Sequence, residues 1–269
     1  MQQRGLLGDL ASALRSPFVP EVFAALEQTG YLARVWPLLK PSVETAGFLS
    51  SALYMADMAL EAVVETYEPL LSAEAMRARG VDVAELLGVI DAFHYVQPQS
   101  LLLYAALEEA WSRPRVGGEG RAEPRITTER EEAHLLAVVS FAPPGTRPLP
   151  DVADALHVQY APELYRAVAR WPVYLDAAWD ELQHLAAYPQ SRRRARALYY
   201  YARSSSRFLA QPIDASREAL LASGLSPEAL DAAHAVIEAA LPLTASMMVH
   251  CSAMRVSLGI TGRVLPPRP

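Results

Sequence analysis

Apolar residues in this chain recur at helical spacing, not in the strict alternation of a strand. Leu6, Leu7, Leu10, Ala13 and Leu14 mark one face of a first helix that stops before Pro17. A second helix starts at Val19-Pro20-Glu21. Proline suits that first turn because its missing N–H would be unpaired there, and the acid after it complements the helix dipole. Further helices are predicted over Tyr31–Leu39 and Val43–Tyr67, then after Gly80 and after Gly224, the last with a Ser226-Pro227-Glu228 start. Neither half carries a convincing β pattern, so the fold class expected is all-α.

The pattern occurs twice. DLASALRSPFVPEVFAAL from Asp9 aligns without a gap on DVADALHVQYAPELYRAV from Asp151, an offset of 142. Pro20 and Glu21 recur as Pro162 and Glu163, while Phe18 and Phe23 recur as Tyr160 and Tyr165. YLARVWPLL from Tyr31 pairs with YLDAAWDEL from Tyr174, and Gly80 and Pro98 pair with Gly224 and Pro242. These anchors predict a tandem duplication of a unit of about 115 residues and roughly five helices. The first repeat is placed at 1–112, a linker at 113–150 and the second repeat at 151–269. The linker is rich in Pro, Gly and Arg, with a short helix predicted over Thr127–Phe141 from its capping-box-like start. The C-terminal Arg263–Pro269 is expected to fray. Each repeat alone leaves an apolar face uncovered, so the two are expected to pack as one compact unit about a pseudo-two-fold axis. A ligand site then belongs between them. This internal pairing suits a monomer or a homodimer.

Composition narrows the function. Of 269 residues, 52% are hydrophobic and the net charge is −6, which argues against a nucleic-acid partner. Arg192–Tyr201, RRRARALYYY, is accordingly read as a solvated arginine face over a buried tyrosine stripe. Cys251 is the single cysteine, so no disulfide or CxxC pair exists within the chain, and His250-Cys251 is read as structural. The N-terminus lacks a signal-peptide core, and the longest uncharged run, Ala239–Met254, is too short to span a bilayer. A cytoplasmic protein with no membrane partner is expected. Phosphate-loop, dinucleotide, nucleophile-elbow and HExxH patterns are absent.

The most informative local feature is Pro98, inside the helical FHYVQPQSL from Phe93. It leaves the carbonyl of His94 without its helical donor, as Pro242 does for that of Glu238. The bend either widens a cavity near Gln97 or is a packing kink. AFHYVQPQSLLLYAALEEAWSRPRVGG from Ala92, LRSPFVPEVF from Leu14 and VADALHVQYAPELYRAVARWPVYL from Val152 resemble the group I 2-haloacid dehalogenases, also labelled halocarboxylic acid dehydrogenases. The resemblance implies an all-α tandem duplication with its active site between the halves. It also implies a reaction in which an aspartate activates water to displace halide from a 2-haloalkanoic acid, without metal, cofactor or covalent intermediate.

By that resemblance the family's water-positioning asparagine falls on Gln97 and a pocket aromatic on Phe18. The catalytic aspartate falls on Leu164, which can neither accept a proton nor orient a water. Glu163 and His94 are the candidate replacement bases. Each has a structural reading beside it: Glu163, like Glu21, as an acid at a helix N-terminus, and His94 as a hydrogen-bonded core residue. Tyr160 and Tyr165 join Phe18, Gln97 and Leu164 as the expected substrate-lining residues. Two functions follow: a dehalogenase-like enzyme on a small carboxylic acid through a rearranged base, or a relative that binds a small molecule or runs another reaction.

Overall fold

The computed structural model describes residues 5–126 and 136–262. Among the described residues are twelve α-helices and no strand. Six precede the linker: α1 (Leu6–Leu14), α2 (Glu21–Gln28), α3 (Tyr31–Val43), α4 (Ala46–Val64), α5 (Ala73–Ala78) and α6 (Val83–Trp111). Six follow it: α7 (Leu149–Leu156), α8 (Glu163–Val168), α9 (Pro172–Ala187), α10 (Pro189–Ser205), α11 (Arg217–Ala222) and α12 (Pro227–Ser257). The fold is all-α. Each half has one helix more than the hydrophobic pattern suggested. The additions, α5 and α11, are six residues long, too short to register a period.

The two series share their punctuation. α1 and α7 end on left-handed residues that are not glycine, Arg15 at φ 54° and His157 at φ 55°. In each, the next N–H reaches back five residues, Ser16 to Ala11 and Val158 to Ala153, which satisfies carbonyls that the helix end leaves open. Pro20 and Pro162 cap α2 and α8, and Gly80 and Gly224 turn the chain with φ of 81° and 94°.

α6 and α12 lie along each other at the centre, with α4 and α10 against both. α6 and the C-terminal part of α12, from Met247, are buried around most of their circumference, so neither stretch shows a one-sided apolar stripe. α4 and α12 are long and apolar enough to cross a membrane, more than the uncharged run at 239–254 suggested, and here they are core helices of the bundle. On α10 the stripe that faces inward is Ala195, Leu198 and Ala202, not tyrosine. Tyr199 is half-buried and Tyr200 exposed, which corrects the reading of RRRARALYYY.

Residues 113–126 form a strap. Val116 and Ile213 exchange two backbone hydrogen bonds of 3.0 and 2.7 Å, and Gly118 N–H donates to the Leu209 carbonyl at 2.8 Å. A Cβ at Gly120 would stand 1.8 Å from the Phe208 carbonyl oxygen, so the close approach requires glycine. Further on, Ala46 N–H donates to Glu123 and Arg125 N–H to Glu44, which returns the strap to the first half. Most of the helix expected over Thr127–Phe141, and the C-terminal Arg263–Pro269, lie outside the described residues. Residues 136–141 are not helical. Tertiary partners hold this part extended: the Val138 carbonyl accepts from Arg170, and Phe141 packs edge-on to Phe18.

A buried polar network sets the start of the first half. Gln99 donates from Nε2 to the carbonyls of Leu14 and Tyr95, at 3.1 and 2.9 Å, and its Oε1 accepts from Arg125. Arg125 also donates to the Ala13 carbonyl. The open C-terminus of α1 is thereby paired, which fixes the chain just before Phe18.

Candidate functional site

A cavity of about 480 Å³ lies between the halves, walled by the α2 and α8 starts and by the stretches of α6 and α12 that flank Pro98 and Pro242. That is the size range of small-molecule pockets. One wall is aromatic. Phe18 sits 4.6 Å from Phe93 and 5.9 Å from Phe141, ring centre to ring centre. Ser16 holds Phe18 in place, its Oγ accepting from the Phe18 N–H at 3.2 Å and donating to the Phe18 carbonyl.

The opposite wall carries the charges. Glu163 opens α8, yet its carboxylate does not cap its own helix. Oε1 accepts the backbone N–H of Glu21 at 3.0 Å and so caps α2 across the cavity. Glu21 in turn pairs through its own carboxylate with Arg166, one turn into α8. Burial, reinforced by the Glu21 charge, pushes the Glu163 carboxyl up to about 8; the Glu21 N–H and Arg166 pull it down by less. Tyr104 stands close enough to feel that charge, and burial together with Glu163 raises its hydroxyl well above the usual range. On the α6 side Gln97 Oε1 is shut off from solvent with no hydrogen-bond partner. Such an atom is costly unless something accepts the role of donor to it.

Five of the seven site residues expected from sequence line this cavity: Phe18, Gln97, Tyr160, Glu163 and Leu164. Tyr160 is 57% exposed and stands at its rim. Leu164 is fully buried in the wall with Val22, its counterpart in the first half. Tyr165 and His94 do not line it, which corrects both placements. One residue past Leu164 points about 100° away around the helix, and Tyr165 accordingly packs into the core. Its hydroxyl shares a 2.5 Å hydrogen bond with His250 Nδ1, and its ring meets Trp179 edge-on. His94 lies on the side of α6 facing the end of α12, where Arg255 Nη1 donates to its Nε2 at 2.9 Å and Arg255 Nε to Asp91 at 2.7 Å. It braces two helices. His250 is driven down to about 4 by burial, and the Cys251 thiol, donating to the Ile90 carbonyl at 3.4 Å, is driven up by the same cause. Neither is poised for chemistry.

Tyr104 and Arg166 escaped the sequence reading. The available signal was spacing alone. Tyr104 is two turns beyond Gln97, and Arg166 is three residues after Glu163, each on the same face as its neighbour.

Residues 17–135 match the family described as halocarboxylic acid dehydrogenase DehI. The chain is 31% identical over 206 residues to a configuration-inverting 2-haloacid dehalogenase of Pseudomonas sp. (strain 113), covering 69% of this chain and 66% of that protein. It is 23% identical over 192 residues to an (R)-2-haloacid dehalogenase of Pseudomonas putida, covering 65% and 62%. The matches thus span slightly under two thirds of these relatives' lengths. The structure of a D-2-haloacid dehalogenase with L-LA superposes with a TM-score of 0.83 at 21% identity, covering 93% of this chain and 89% of that one. A mutant of that enzyme type with D-2-CPA gives 0.82, at the same identity and coverage.

Proposed function

This chain belongs to the 2-haloacid dehalogenase family, and we propose that it is a hydrolase of a small 2-substituted carboxylic acid whose water-activating base is Glu163. The observation that carries the proposal is a carboxyl of pKa about 8 in a cavity also lined by Gln97, whose Oε1 has no partner. Leu164 stands where the resemblance puts the family's aspartate, and Glu163 supplies a carboxylate from the adjacent position. The family's small-acid pocket is accordingly read as this cavity between the halves, and the halves as two copies of one unit. The recurring caps and prolines support that reading.

In the proposed reaction one water hydrogen is accepted by Gln97 Oε1 and the other passes to ionised Glu163. The water oxygen forms its bond to the α-carbon while the carbon–halogen bond breaks, and halide leaves with the electron pair. Arg166, the cation lining the cavity, offers a partner for the substrate carboxylate in exchange for Glu21. A raised pKa makes Glu163 a stronger base once ionised, and leaves it mostly protonated at neutral pH. Halide release from both enantiomers of 2-chloropropionate is therefore expected to rise about tenfold per pH unit below about 8 and to level off above. It is expected to survive a chelator.

A second reading rests on the apolar pair Leu164 and Val22 in the wall. There the cavity binds a small acid through protonated Glu163 without turning it over. Calorimetric binding of 2-chloropropionate with no halide released at pH 9 would select it. A Leu164→Asp variant that then gains turnover would identify the missing base as the whole defect.

A further inference from the structure

Toward the start of α12 from Pro242 lies a group that the Glu163 cavity does not include. His234 and Glu238, one turn apart on α12, converge with Glu108 of α6, so that one ligand atom from each lies within 4.8 Å of the others. His234 Nε2 and Glu108 Oε2 are 3.1 Å apart. Both atoms are shielded from solvent, and beyond this contact with each other neither has a hydrogen-bond partner. Trp111 stacks flat on the imidazole, 4.1 Å between centroids and 14° between planes, which holds the ring's orientation.

These distances suit a shared ion. Two ligand atoms 3.1 Å apart, each about 2.1 Å from a metal, subtend about 95° there, between octahedral and tetrahedral angles. The third ligand is adjustable. Glu238 is 59% exposed, with its carboxylate now 3.7 Å from His234 Nδ1, so a side-chain rotation brings it to the same point. A second cavity of about 480 Å³, lined by Glu108 and Glu238 together with Arg192 and Arg196, opens onto the two carboxylates and gives room for water ligands.

We propose that Glu108, His234 and Glu238 bind a divalent transition-metal ion of the zinc type, one imidazole and two carboxylates completed by water. The ion ties α6 of the first half to α12 of the second. It takes no part in the reaction at Glu163, and the proposal stands or falls independently of that reaction.

The test is calorimetric titration of the full-length, metal-stripped protein with Zn²⁺, with Co²⁺ absorption as a report on coordination. One ion per chain is expected, with affinity at least about tenfold weaker in His234→Ala and in Glu108→Gln. Thermal stability should rise with added Zn²⁺ in the parent and not in the variants. No Zn²⁺ binding, or binding of equal strength in both variants, overturns the proposal. Should either variant fail to fold, Glu238→Gln at the exposed ligand decides in the same way.

Discussion

Glu21 and Glu163 occupy the same local sentence, each after a proline and each opening a short helix, 142 residues apart. Their fates differ. Glu21 is 54% exposed and paired to Arg166. Glu163 is half-buried, caps the other half's helix and is held at about 8. Local sequence therefore chose the residue type, and the packing of one half on the other chose its chemistry. Burial makes most of the difference, and the sequence adds to it, because Arg166 has no counterpart three residues after Glu21, where Ala24 stands. One carboxylate receives the cation, and its charge then presses on the other.

That contrast can be broken in several ways. The largest effect is expected from Glu163→Gln, which should lower halide release by about 10²–10⁴, or about 3–5 kcal/mol of barrier. Glu21→Gln should cost less than about tenfold. Equal losses from the two would remove the distinction.

Next is stability against pH. The folded protein holds the Glu163 proton more tightly than the unfolded chain does, so it binds more protons than the unfolded state between about 4.5 and 8. This contribution is complete below pH 4.5, is lost progressively up to about 8, and is absent above. Denaturant midpoints should fall across that window by the equivalent of a few kcal/mol. Glu163→Gln should flatten the slope, whereas Glu21→Gln should only shorten it.

Gly120→Ala tests what holds the halves in register. A methyl directed at the Phe208 carbonyl must displace the strap, and a loss of about 2 kcal/mol in chemical unfolding is expected. Gly145→Ala, with nothing near its added methyl, should cost little beside it. The smallest effect is on the pH profile of turnover. Removing the Glu21 charge should move its midpoint below 8, by at most about one unit. A midpoint that stays put would assign the raised pKa to burial alone.

Much of this molecule could be read along the chain. Helix starts at Pro20, Pro162 and Ser226 are local signals, and they fall where caps are found. Phe18, Gln97, Glu163 and Leu164 were reachable because repeat and resemblance placed them near one interface. His94 and Tyr165 were not separable from them. On α6, buried nearly all round, apolar neighbours give no cue to which face meets a cavity and which meets another helix, and α8 is too short for its period to place Tyr165. The Gly117–Gly120 run reads as loose linker until the chain it lies against, Phe208–Ile213, is known.

The sequence by itself determined the longer helices, their order and the recurrence of their proline starts, since these depend on contacts within a turn or two. Only the tertiary structure decided that Glu163 reaches across to the Glu21 N–H, that Arg166 takes Glu21, and that Gln97 is left with an open acceptor. A pKa depends on solvent exclusion and on charges brought from far along the chain, and neither is written in the residues beside the group.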